Sequence, residues 1–163
     1  MSRQALEIIG VDPDQDEPDR PRPFGLDERD GPGVAGWAIH PTGGETLEDV
    51  ADQMRAAGFD PGSIIEMSRR KPTGELITWS LTVGGDTGPA SQGALPFAIA
   101  WGDQPSPAVS LPSMGSLIQL EVTHPDPAVR ASVQALGLDV SVAEGPAALK
   151  VVMDTAKGRV ELT

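Results

Sequence analysis

The side chains that could do chemistry are few, and several sit in repeated settings. The two histidines, His40 and His124, each precede a proline and close an alternating stretch: VAGWAIH over residues 34–40 and SLIQLEVTH over 116–124. Imidazole titrates near neutrality and suits proton transfer, so His40 is a candidate catalytic base. The same repetition also fits a structural joint where strand turns to helix, and that is the weightier reading. Alternation in residues 116–124 groups Ile118, Leu120 and Val122 on one face and Gln119, Glu121 and Thr123 on the other. The apolar set is expected to face a helix. Gln119 and Glu121 are then left toward a pocket or solvent, and Glu121 is the second candidate catalytic residue. Arg69 and Arg70 could clamp a carboxylate or phosphate, since guanidinium pairs bidentately with such groups; a charged hairpin edge is the plainer alternative. Trp37, Trp79 and Trp101, the three tryptophans, are candidates for lining an apolar binding site, with core packing as the default.

Other chemistries are excluded by type or spacing. There is no cysteine, hence no disulfide, thiolate metal site or cysteine nucleophile. Nothing resembles a nucleophile elbow, and Gly84-Gly85 with Gly88 lacks the spacing of a phosphate loop. A net charge of −12 argues against a nucleic-acid partner, which needs clustered Lys and Arg. No run approaches the ~18 apolar residues of a membrane span, so no membrane partner is expected and a cytoplasmic location is the default.

The elements that must position these residues follow from periodicity. Residues 3–10 (RQALEIIG) read as a strand, and residues 12–33, with five prolines and eight acidic residues, as an extended connector. Phe24 and Leu26 are its candidate anchors. A first unit over 34–102 then runs strand, helix, strand, strand, strand. Its helix is capped at Thr46, carries a stripe of Leu47, Val50, Met54 and Ala57, and exits at Gly58. One strand over 76–83 is expected to place Ile77, Trp79, Leu81 and Val83 together, after a turn at 71–74. A Pro-rich linker over 103–115 precedes a second unit over 116–163 in the same order, its helix capped by Asp126 with Pro127 at the first position. The fold class is therefore α+β, two βαβββ modules forming one structural domain over 34–163, with residues 3–10 resembling the last strand of a third module.

The stretches LEIIGVDPD, PRPFGL, SRRKPTGELITWSL, LPFAIAWGD, THPDPAVRASVQALGLD and KGRVEL resemble the glyoxalase-like domains of the vicinal oxygen chelate superfamily. The resemblance implies paired βαβββ modules in a curled mixed sheet with helices outside and a concave pocket inside. It also implies a longer N-terminus, in which a complete module precedes LEIIG. Metal ligands in such domains come from the first and last strands of a module. Carried over, these positions fall on Gln119 and Glu161 in the second unit and on Glu7 in the orphan strand. They fall on Ala35 and near Ala98 in the first unit, where no side chain can bind a metal, and Ser106 stands where relatives often have histidine. A divalent metal ion held by Gln119, Glu161 and Glu7 is the implied cofactor. The implied function is small-molecule binding, with metal-dependent lyase, isomerase or dioxygenase activity if the domain is an enzyme. The alternative is a non-catalytic binding or dimerisation module, with a homodimer formed through the N-terminal strand or a sheet edge.

Overall fold

The computed structural model describes residues 4–14, 16–19, 21–71 and 73–163. Two helices and eight strands follow in the order β1 (Ala38–Ile39), α1 (Leu47–Ala56), β2 (Ser63–Arg70), β3 (Leu76–Val83), β4 (Phe97–Ala100), β5 (Gly115–Thr123), α2 (Pro127–Ala135), β6 (Ser141–Ala143), β7 (Ala148–Thr155) and β8 (Gly158–Leu162). They build two four-stranded mixed sheets, one ordered β1-β4-β3-β2 and the other β6-β5-β7-β8. Among the described residues no helix is long and apolar enough to cross a membrane.

Both helices begin where the sequence places a cap. At α1 the Thr46 hydroxyl accepts the Asp49 N–H at 3.1 Å and the Asp49 carboxylate accepts the Thr46 N–H at 2.8 Å. Two otherwise orphaned donors are thereby satisfied reciprocally, and the backbone bond from Thr46 holds the Asp49 carboxyl below its usual range. Leu47, Val50, Ala51 and Met54 form the buried stripe, and Gly58 exits with φ 97°, a conformation that favours glycine. At α2 Asp126 accepts the Ala128 N–H at 2.8 Å, and Ser132 and Val133 are buried. The α1 stripe joins Phe59, Ala94, Leu95 and Ala98 from the first half and Val122, Val133 and Leu149 from the second in one apolar cluster.

Several expectations need correction. The strand expected over residues 3–10 is not formed: residues 4–10 run as exposed irregular chain, with Leu6 51% and Ile8 90% exposed, and residue 3 lies outside the described residues. A lone apolar pentamer has no ladder to join unless a partner strand is at hand. The first strand, expected over 34–40, is paired only at Ala38–Ile39. The strand ahead of the turn runs to its edge, so Arg69 and Arg70 belong to β2 itself. The turn is closed by Gly74 N–H to the Lys71 carbonyl at 2.9 Å; Pro72 lies outside the described residues.

Burial departs from the simple pattern in β3, and side-chain parity departs from it in β5. In β3, Ile77 and Thr82 are buried while Val83 is 45% exposed. Thr82 is turned inward because its hydroxyl accepts the buried Ala98 N–H at 2.9 Å, tying β3 to β4. In β5 a bulge between Leu117 and Gln119 extrudes Ile118, which is 50% exposed rather than part of the helix-facing set. The connector reaches the first sheet through Phe24, whose ring lies 5.5 Å from that of Phe97.

The Thr82 bond generates a direct test. Thr82→Val keeps the shape but leaves the Ala98 N–H unpaired and buried, so chemical denaturation should show a loss of about 1–3 kcal/mol. Thr82→Ser should recover most of it.

Candidate functional site

Each sheet has one face committed to the helices and one that is not, and the expected site residues divide between them. On the first sheet the register pairs Ile65 with Leu81, Met67 with Trp79, Arg69 with Ile77 and Leu81 with Ile99. Paired residues share a face, so these side chains lie together, opposite Thr82 and Ala98. Trp101, two residues beyond Ile99, closes the row with its ring 5.7 Å from that of Trp79, at an interplanar angle of 45°. Tilted ring pairs at this distance are favourable. Trp79, Leu81, Ile99 and Trp101 are half-buried, and Ile65 and Met67 are exposed.

The two arginines, expected as a clamp, do not share a face, because consecutive residues of a strand point to opposite sides. Arg70 donates to the Gly74 carbonyl at 2.7 Å, bracing the hairpin turn, and Lys71 pairs with Glu75 at 2.9 Å. Arg69 stays on the aromatic face, exposed, and its guanidinium has no partner among the described residues. Trp37 is not with the other two tryptophans. It packs against the apolar cluster, and its indole N–H donates to the Ala94 carbonyl at 2.9 Å.

On the second sheet the helix-free face is polar. Gln119 Nε2 donates to Glu121 Oε2 at 3.3 Å and to Ser141 Oγ at 3.2 Å. Glu121 lies opposite Lys150 in the β5–β7 register, and Lys150 Nζ is paired with Glu161 Oε2 at 3.0 Å. Toward the hairpin end, Arg159 hydrogen-bonds Asp154, holding that carboxyl below its usual range and raising its own basicity. Both are well exposed, so the pair contributes little stability.

The ligand set inferred from the resemblance is not brought together. A duplicated unit would place its last strand beside its first, as β4 lies beside β1. In the second half β7 takes that place and β8 lies beyond it, so Gln119 faces Val152, and Val152 faces Glu161. Two strand spacings, roughly 10 Å, separate the two backbones. Glu7 lies in the exposed irregular segment. Among the described residues no three His, Asp or Glu side chains group as a metal site. A cavity of about 600 Å³ is walled by the connector and one of about 170 Å³ by the exit of α1, residues 86–95 and α2, and none of the expected site residues lines either.

The histidines, expected to be equivalent, are not. His124 is buried, its Nδ1 accepts the Asp126 N–H at 3.1 Å, and Arg130 donates to the His124 and Pro125 carbonyls at 2.7 Å each. His40 is exposed, with Nδ1 2.9 Å from the Pro41 carbonyl. Two contributors escaped the sequence reading: Met67, although residues 65–68 alternate, and Lys150, a lone cation in the apolar run ALKVVM.

Comparison with protein-family models matches residues 3–138 to the model described as a glyoxalase-like domain. No curated protein and no solved structure matches the chain. The matched stretch covers the aromatic face and ends before β6, so Lys150 and Glu161 lie beyond it.

The two histidines can be told apart by stability. His124→Ala removes a buried acceptor and its packing and should cost about 1–3 kcal/mol in denaturant unfolding. His40→Ala should change stability by less than about 0.5 kcal/mol.

Proposed function

The chain belongs to the glyoxalase-like domain family, and on that premise we propose that it binds a small molecule with a planar apolar body and an anionic group on the helix-free face of its first sheet. The observation that carries this reading is the row of Met67, Trp79, Leu81 and Trp101 with Arg69 on the same face. Aromatic walls with one convergent polar group are what a small-molecule site of this kind requires. Arg69 is the cation available there, since Arg70 and Lys71 serve the hairpin turn. The indole rings would supply apolar contact, and the guanidinium would fix orientation through a charge-assisted bond. Binding, rather than metal-assisted lyase, isomerase or dioxygenase chemistry, is the reading the side chains support, because the donors expected to hold a metal stand on separated strands or off the sheets.

The competing reading is a module that self-associates through the same face. Ile65 and Met67, 39% and 36% exposed, favour it. The two readings part in one experiment. By calorimetry, 2-naphthoate should bind the wild-type protein about tenfold more tightly than the neutral 2-naphthalenemethanol, the difference a single charged contact makes. Arg69→Gln should erase that preference and Arg70→Gln should leave it. Equal binding of acid and alcohol by the wild type would overturn the anion reading. Competition of ligand binding with a concentration-dependent dimer in sedimentation would assign the face to a second copy.

A further inference from the structure

The polar face of the second sheet carries an inference that does not depend on the ligand reading for the first. We propose that Lys150 is the resident cation between Glu121 and Glu161, neutralising them from within the chain, beside the Arg159–Asp154 pair at the hairpin end, and keeping divalent ions off the Gln119–Glu121–Glu161 surface. The register sets the arrangement. Lys150 stands directly opposite Glu121 across β5 and β7, and diagonally beside Glu161 of β8, which pairs with Val152, the next same-face residue of β7. Diagonal neighbours in a sheet lie within reach of long side chains, and Lys150 Nζ lies 3.0 Å from Glu161 Oε2.

The remaining donors are also engaged in ways that oppose a metal. A hard divalent ion takes about six or more oxygen ligands. Gln119 presents its amide nitrogen, not its oxygen, toward Glu121 and Ser141. An incoming ion would therefore have to displace an ammonium from Glu161, turn Gln119 over, and bridge carboxylates that stand two strands apart. The ammonium is already there and needs none of these changes. Its charge is also fixed to the sheet by an aliphatic stem, half-buried along the face. The intervening strand that carries Lys150 is the same one that separates Gln119 from Glu161, so the wiring of this sheet both divides the donors and supplies the substitute.

Removing the charge tests the idea without any assumption about activity. Lys150→Met keeps the apolar stem, leaves Glu121 with no cation opposite it, and leaves Glu161 only its neighbour Arg159, which is itself bonded to Asp154. Titrated with Mn²⁺ alone and followed by calorimetry and Mn²⁺ paramagnetic resonance, it should bind the ion about tenfold or more tightly than the wild type. Glu161→Gln in the Lys150→Met background should abolish the gain, and Lys150→Arg, which keeps the charge, should match the wild type. Should Lys150→Met fail to fold, Lys150→Gln reads out the same change. Indistinguishable Mn²⁺ titrations for wild type and the neutral variants, or an equal gain in Lys150→Arg, would overturn the proposal.

Discussion

The structure depends on where its two helices can bury one stripe each. Met54 and Ala51 of α1, Ala98 of β4 and Val122 of β5 are wholly buried, and Met54, Ala98 and Val122 share one cluster with Val133 of α2. An amphipathic helix of nine or ten residues has little stability of its own and gains it by docking that stripe. One face of each sheet is therefore committed. On the first sheet the commitment selects Ala98, small and fully buried, and recruits Thr82 to satisfy the backbone beneath α1. Because strand side chains alternate, every residue placed inward fixes its neighbour outward. The helix-free faces are thus what the core leaves over, and their contrasting chemistry follows: an apolar row around two tryptophans on one sheet, a charged and amide-bearing row on the other.

Local physics was legible in the sequence wherever a few adjacent residues decide the outcome. Thr46 and Asp126 with Pro127 marked the helix starts, Gly58 marked the exit of α1, and the stripe of Leu47, Val50 and Met54 marked its buried side. Gln119 and Glu121 were correctly grouped by alternation. Most of the failures involve partners remote in the chain. Residues 4–10 have the composition of a strand and no ladder to join. The bulge after Leu117 depends on how β7 pairs, which nothing in SLIQ announces. Trp37 and Trp79 look alike as strand aromatics, yet one donates into the core side and the other lies on the open face. Arg69 and Arg70 were read as a pair although, once placed within a strand, adjacent residues cannot share a face.

Sheet order is the feature least legible and most consequential. The two halves repeat the same succession of elements, but the last strand of the first half returns to lie beside its first strand, whereas the last strand of the second half is shed to the outside. The difference arises after the helix. In the second half β6 adds in parallel to one side of β5, and β7 then takes the other side as an antiparallel neighbour. No vacant edge of β5 remains for β8. Positions that correspond in sequence therefore do not correspond in space, and a ligand position transferred by strand number alone lands one strand too far away. Glu161 is the instance: its sequence context matched the expectation, and its neighbour across the ladder decided its role. The residue that met it there, Lys150, brings a positive charge that a metal would otherwise have had to supply, which is why the donor positions on this sheet must be weighed by the strand that lies between them.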